Sequence, residues 1–120
     1  MEKLPISICI LSWKNEITLE NTLKSYKKNG LLSISTDITV LFQEVSPKDI
    51  RIAEKFGVKH IDLLENIGIG KGIIQLLENA QNDIVLFLEN DWELIENETT
   101  TKQQLSQGVQ LLQNGFDVVR

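Results

Sequence analysis

The segment Ile84-Val85-Leu86-Phe87-Leu88 sets five apolar residues in a row with no polar alternation, and Glu89, Asn90 and Asp91 follow at once. A short run of this kind reads as a strand buried on both faces. Strands of that type belong to parallel sheets covered by helices, which restricts the chain to α/β architectures. The rest of the sequence fits this restriction. Ile6–Leu11, Asp37–Phe42 and Val58–Leu63 read as three further strands. Amphipathic stretches of helical length separate them. Glu16–Asn29 carries Leu19, Leu23 and Tyr26 on one face and is ended by Gly30. Pro47–Phe56 has Ser46 as its N-cap, Pro47 in its first turn and Gly57 as its stop. Ile69–Ala80 turns Ile73, Leu76, Leu77 and Ala80 inward. A fourth helix, Thr101–Asn114, presents Leu105, Val109 and Leu112 and ends at Gly115. Phe116–Val119 then begins a fifth strand, one residue before Arg120. Repeated strand–helix–strand units predict a parallel sheet with right-handed crossovers. The last strand has no helix after it, so the expectation is the first part of a larger fold.

Composition narrows the function classes. A chain of 120 residues fits one domain. At that size roughly two-thirds of the unfolded surface is buried, enough for one real core. The net charge is −5 and the cations are scattered, which argues against a nucleic-acid backbone or an anionic membrane as the main partner. A bound phosphate would need a local cation or a metal instead. Cys9 is the only cysteine and lies in an apolar run, so it reads as core and no disulfide framework exists. His60 is the only histidine, which excludes a multi-histidine zinc site, and it reads as a strand residue. No run approaches the ~20 apolar residues of a membrane span. Pro5 and Ser7 interrupt the N-terminal apolar stretch and no small-residue cleavage site follows, so no signal peptide is read and a cytoplasmic location is expected. Asn97-Glu98-Thr99 matches a glycosylation sequon, but without a secretory context it reads as chance.

The chemistry-bearing residues fall just after the strands. They are Ser12, Trp13, Lys14 and Asn15; Gln43, Glu44 and Ser46; Asn66, Gly68, Gly70 and Lys71; and Glu89, Asn90, Asp91 and Trp92. In a parallel sheet all of these lie on one edge, the edge where open α/β sheets bind ligands. Glu89 and Asp91 are oxygen donors one residue apart, suited to a hard divalent cation, and such a cation usually brings a phosphate. The plainer reading is a strand terminus in solvent. Asn66–Gly72 is a glycine-rich turn opening a helix, where backbone amides attract anions and Lys71 adds a charge. It is not a P-loop, because Glu65 and Gly72 stand where that motif needs glycine and a hydroxyl residue. No glycines follow the first strand, so it is not a dinucleotide fingerprint either. Trp13 and Trp92 are placed either to stack on a base or sugar or to cover the sheet edge. Glu44 either accepts from a base or ribose or is a solvated acid before the Ser46-Pro47 turn.

The order of these features resembles the nucleotide-binding half of the family 2 glycosyltransferases, which have the GT-A fold. Ile10-Leu11-Ser12-Trp13-Lys14-Asn15 stands where that family has a Pro-Thr-Tyr-Asn-like run, and Asn66–Gly72 where it has an Asn-x-Gly turn. Glu89-Asn90-Asp91 stands in the place of the Asp-x-Asp signature. Gln43-Glu44-Val45-Ser46 departs from the family's Asp-Asp-Gly-Ser-like run. The resemblance spans nearly the whole chain as one domain, 1–120. It implies an α/β, Rossmann-like, mostly parallel sheet with helices on both faces.

For function the resemblance implies binding of a UDP- or GDP-sugar and inverting glycosyl transfer of the hexosyltransferase kind. Ser12 and Trp13 would line the base pocket, with Gln43 and Glu44 near the base or ribose. Lys71 would lie near the diphosphate and Asn90 beside the ribose or donor sugar. Glu89 and Asp91 would hold Mn²⁺ or Mg²⁺. The acceptor half of the family is not matched, and no residue here corresponds to its catalytic base, as expected of a truncated transferase. Two other readings stand beside this one. One is a non-catalytic module that keeps the fold and self-associates through its sheet edge. The other is a nucleotidyltransferase-like enzyme.

Overall fold

The computed structural model describes residues 3–119 and shows an α/β sandwich. Its elements are β1 (Ile6–Trp13), α1 (Glu16–Lys28), a 3-10 turn at Leu31–Ser33, β2 (Asp37–Gln43), α2 (Pro47–Phe56), β3 (Lys59–Asp62), α3 (Ile69–Asn79), β4 (Ile84–Glu89) and α4 (Glu98–Gln113). The four strands are all parallel and lie in the order β3-β2-β1-β4, a Rossmann-like arrangement. No helix among the described residues is long and apolar enough to cross a membrane.

The strand order follows from where the helices pack. Ile6, Ile8 and Ile10 of β1 join Val40 and Phe42 of β2 and the apolar faces of α1, α2 and α4 in one cluster. Cys9 and Leu11 of β1 and Leu41 of β2 form the other cluster, with Leu76 of α3. Thus α1, α2 and α4 cover one face and α3 the other. Right-handed crossovers on one face carry the chain from β1 to β2 to β3, and the return to β1 needs a helix on the opposite face. That helix is α3, and it delivers β4 to the free side of β1. The strand order therefore reverses between β1 and β4, which opens a crevice at their carboxyl ends.

Local signals set most of the boundaries. Ser46 caps α2 by accepting from Asp49 N at 3.1 Å, and the Asp49 carboxylate accepts from Ser46 N at 3.0 Å, a reciprocal capping box with Pro47 in the first turn. Gly57, at φ 68°, closes α2 in the left-handed region that a side chain would resist.

Four expectations are corrected. Phe116–Val119 is not a strand: it makes no ladder with β4, and the Phe116 N–H bonds back to Leu111 O at 3.2 Å. Strand-forming composition acts only where a neighbour supplies the ladder. Arg120, the residue after it, lies outside the described residues. The run Ile84–Leu88 is half-buried rather than buried on both faces, because β4 is an edge strand. Leu77 is 48% exposed, since α3 meets the sheet through Gly72 and Leu76. α4 starts at Glu98 instead of Thr101, because Asn97 caps it by accepting from Thr100 N at 2.8 Å.

At the amino edge Asp37 is 2% exposed. Its carboxylate accepts from Ser7 Oγ at 2.5 Å and Gln81 N at 2.8 Å and pairs with Lys59. Ser7 Oγ in turn accepts from Asn82 N at 3.0 Å. Burial alone would push this carboxyl's pKa up, but the bonds from Lys59, Ser7 and Gln81 outweigh it and hold it below its ordinary 3.8. A depressed pKa contributes stability that is fully present above 3.8 and is lost as pH falls through the folded value. Asp37→Asn should therefore cost ~2 kcal/mol at neutral pH, a melting loss of about 10 °C. Urea midpoints should show the wild type losing more stability than the variant between pH 5 and pH 3; parallel loss in both would remove Asp37 from this role.

Candidate functional site

The carboxyl ends of β1, β2 and β4 converge at the crevice. β1 leaves the sheet through two successive left-handed residues, Lys14 at φ 54° and Asn15 at φ 67°. β2 leaves through a third, Glu44 at φ 49°. Such conformations cost about 1–2 kcal/mol each for residues with a Cβ and persist only where neighbours enforce them. The enforcing contacts link the strand ends to each other. Trp13 Nε1 donates to Glu44 Oε2 at 2.5 Å, and Lys14 Nζ lies 3.5 Å from the same oxygen. Lys14 also sits over the Trp13 ring, 5.2 Å from its centroid. Asn90 closes the other side: its N–H donates to Leu11 O at 3.1 Å and its Nδ2 to Lys14 O at 3.1 Å. Trp13, Lys14, Glu44 and Asn90 thus form one connected group on three strand ends.

Glu89 and Asp91 flank Asn90. Glu89 pairs with Leu11 in the β1–β4 register and so lies on the α3 face, half-buried, while Asp91 is exposed on the turn that follows. That turn is fastened from behind. Tyr26 Oη of α1 donates to Trp92 O at 2.6 Å, and Ser25 Oγ and Asn29 Nδ2 bond Leu94 N and O at 2.9 Å each. Burial pushes the Tyr26 phenol well up, with the Asp91 charge acting in the same direction, so it stays a neutral donor. Among the described residues no group of three or more His, Cys, Asp and Glu is placed to enclose a cation. Glu89 and Asp91 offer two carboxylates, so a cation there would take its remaining oxygens from a ligand or water.

The other expected site residues have different surroundings. Gln43 is 3% exposed, and its amide is bonded at both ends, accepting from Ile67 N at 2.9 Å and donating to Gly68 O at 2.9 Å. It shapes the glycine-rich turn from beneath. Asn66 Oδ1 accepts from Gly68 N at 2.8 Å and tightens the same turn. Lys71 is exposed in the first turn of α3 and forms no ion pair among the described residues. Ser12 is buried, and its hydroxyl has no partner among the described residues. Trp92 is half-exposed and packs edge-on against Phe87, with ring centroids 6.3 Å apart.

Sequence reasoning placed Lys14 at this edge but gave it no binding role, although its contacts with Trp13 and Glu44 hold the group together. One signal was present: Asn15 is a residue type that tolerates the left-handed conformation, and it marks a sharp exit from β1. Gln43 was also legible in part. It continues the inward set Asp37, Thr39 and Leu41 of β2, all buried, so alternation alone turns its amide toward α3.

The chain matches no protein-family model, and no curated protein is significantly similar to it. The family resemblance therefore rests on the order of the strand-end motifs alone.

The Trp13 hydrogen bond, aided by the Lys14 charge and opposed by partial desolvation, holds the Glu44 pKa below its ordinary 4.5. In a Trp92→Phe background, Trp13 emission should titrate with a midpoint below 4.5, and Glu44→Gln should abolish the transition. A midpoint at or above the ordinary value would mean that the contact does not form in solution. Gly72 lets α3 approach the sheet: a Cβ there would meet Leu11 Cδ1 at 2.9 Å and Gln43 Nε2 at 3.1 Å. Alanine would gain up to ~1 kcal/mol of helix propensity, but overpacking a buried contact costs about 1–3 kcal/mol. Gly72→Ala should accordingly lower urea stability by ~1 kcal/mol; a more stable variant would show that Leu11 and Gln43 yield freely.

Proposed function

We propose that this chain is a donor-binding domain of the glycosyltransferase type, which takes a UDP- or GDP-sugar together with Mn²⁺ or Mg²⁺ in the crevice between β1 and β4. The observation that carries this reading is the placement of Glu89-Asn90-Asp91 at the point where the strand order reverses, with Asn90 bonded to Lys14 beside the Trp13–Glu44 pair. A nucleotide needs an aromatic face, a few polar groups and a way to neutralise its diphosphate. Trp13 is 52% exposed and offers the face. Glu44 keeps its charge through its bond to Trp13 and can accept from a ribose hydroxyl or a base N–H. Lys71 and Lys14 are the cations nearest in sequence to the glycine-rich turn and the β1 exit.

Glu89 and Asp91 would share a divalent cation with the diphosphate oxygens. When bound, the cation offsets the negative charge that builds on the departing nucleoside diphosphate. The domain's own contribution is binding and orientation: Asn90 fixes the turn against β1, and Tyr26, Ser25 and Asn29 hold the following loop in place. No residue of the chain is assigned to deprotonating an acceptor, so the proposed role is donor binding.

The test is thermal unfolding with UDP and GDP, each with and without Mn²⁺. At ~100 times Kd, a ligand specific to the folded state stabilises by about 2.7 kcal/mol. That is a melting shift of about 10 °C for a domain of this size. The expected result is a shift that needs both nucleotide and metal and disappears in Asp91→Ala, whose own melting point should match the wild type because Asp91 is exposed. No shift with either nucleotide would sink the proposal, and a metal-dependent shift that survives Asp91→Ala would place the cation elsewhere.

A further inference from the structure

UDP and GDP differ in their base, and the groups beside Trp13 treat the two bases differently. We infer that Glu44 and Lys14 select guanine and reject uracil, so that the donor is a GDP-sugar; this rests on the donor-binding role proposed above.

Most polar groups at the exits of β1 and β2 are already committed. The Gln43 amide is bonded at both ends within the glycine-rich turn. Trp13 Nε1 donates to Glu44 Oε2, and Asn90 Nδ2 to the Lys14 carbonyl. What faces a base is an ordered set of three atoms. Lys14 Nζ, a donor, lies 3.5 Å from Glu44 Oε2. Oε2 is an acceptor, joined through one carbon to Oε1. Oε1 is a second acceptor, with no partner among the described residues. The set thus runs donor, acceptor, acceptor, beside an indole that is 52% exposed. Its placement is enforced. Glu44 holds left-handed backbone at φ 49°, which glycine or asparagine would adopt with less strain, and the Trp13 bond fixes its carboxylate. The same bond keeps the carboxyl ionised at neutral pH, so it accepts and does not donate.

The edges of the bases answer this set unequally. Guanine presents O6, N1–H and the N2 amino group in order: acceptor, donor, donor. It complements all three atoms, with Lys14 at O6, Oε2 at N1–H and Oε1 at the amino group. Uracil presents O4, N3–H and O2: acceptor, donor, acceptor. It meets Lys14 and Oε2 but sets O2 against Oε1, two lone pairs with no proton between them. Adenine and cytosine put a ring nitrogen, an acceptor, against Oε2 whichever way round they lie. A polar group left facing the wrong partner is how a hydrogen-bonding site rejects an analogue. Glutamine at position 44 would change the code. Its amide oxygen would stay with Trp13 Nε1, which needs an acceptor, and its NH₂ would replace Oε1. The set would then run donor, acceptor, donor, the complement of uracil.

The test is calorimetric titration of the whole chain with GDP, UDP and inosine diphosphate, each with Mn²⁺. Inosine keeps O6 and N1–H and lacks the N2 amino group. The wild type should bind GDP about tenfold more tightly than UDP and severalfold more tightly than inosine diphosphate. Glu44→Gln should reverse the order, with UDP tighter than GDP. The readout is the ratio of affinities within one protein, which a merely structural role for Glu44 would leave unchanged. A variant that weakens GDP and UDP by the same factor would therefore overturn the assignment. So would a wild type that binds UDP as tightly as GDP, or inosine diphosphate as tightly as GDP. Any of these would leave the chain a donor-binding domain whose base is read elsewhere. Should Glu44→Gln fail to fold, the comparison of GDP with inosine diphosphate on the wild type decides alone. No affinity for any of the three nucleotides would sink the donor-binding role itself, and base selection with it.

Discussion

Asp37 holds a negative charge at the amino edge of the sheet with almost no access to solvent, and that charge must be satisfied wherever the chain goes. It is answered by Ser7 on β1, Lys59 on β3 and the Gln81 N–H just before β4, while Asp37 itself opens β2. A buried carboxylate without partners would cost several kcal/mol, so each of these segments is held in one register relative to the others. Ser7 passes the constraint on to Asn82, which fixes where β4 begins. With the amino ends locked in this way, the carboxyl ends are positioned by strand length alone. β1 and β2 each run on past their apolar stretch, to Trp13 and Gln43. Those extra residues bring the functional groups together.

The carboxyl edge is organised on the opposite principle. Its polar groups are exposed or half-exposed, and three non-glycine residues, Lys14, Asn15 and Glu44, hold left-handed backbone there. Summed over three sites the conformational cost reaches about 3–6 kcal/mol. The compensating contacts are short-range and mutual: Trp13 with Glu44, Lys14 with both, and Asn90 with the Lys14 carbonyl. Exposed ion pairs alone are worth too little to offset such a cost, typically about 0–1 kcal/mol. The indole hydrogen bond and the strand pairing beneath must supply the rest. Backbone strain gathered at one sheet edge, over a core that is otherwise regular, is what marks this edge as the candidate site.

Much of this was legible in the sequence. The apolar runs and helical spacings located the four strands and four α-helices of the described residues but not the 3-10 turn at Leu31–Ser33, because local periodicity and caps such as Ser46, Pro47 and Gly57 carry that information. What the sequence did not carry was the pairing. The segment 116–119 has strand composition but no ladder, and Ile84–Leu88 looks fully buried by composition yet lies at an edge. Both depend on which neighbours are present, a long-range fact that a local window does not contain. The site shows the same division. Strand-end position picked out Trp13, Glu44, Glu89, Asn90 and Asp91, since parallel topology puts all strand ends together. The commitment of the Gln43 amide to the glycine-rich turn depends on α3 seating closely over Gly72, which only the packed structure reveals.

The position of β4 ties the crevice to the sheet edge. Its inner side pairs with β1 and delivers Glu89, Asn90 and Asp91 to the crevice, while no described segment pairs with its outer side. A strand with half-buried side chains and one open side has fewer contacts holding it than β1, which is paired on both sides and almost wholly buried. Local stability scales with such contacts, so the ordering of β4 changes more readily than that of β1. The bonds from Tyr26, Ser25 and Asn29 grip the chain only after Trp92, and Asp37 and Ser7 grip it only before Ile84. Between those anchors the Glu89–Asp91 turn is held by the β1 ladder, by its own Trp92 N–H to Glu89 O bond at 3.2 Å and by the Asn90 side-chain contact.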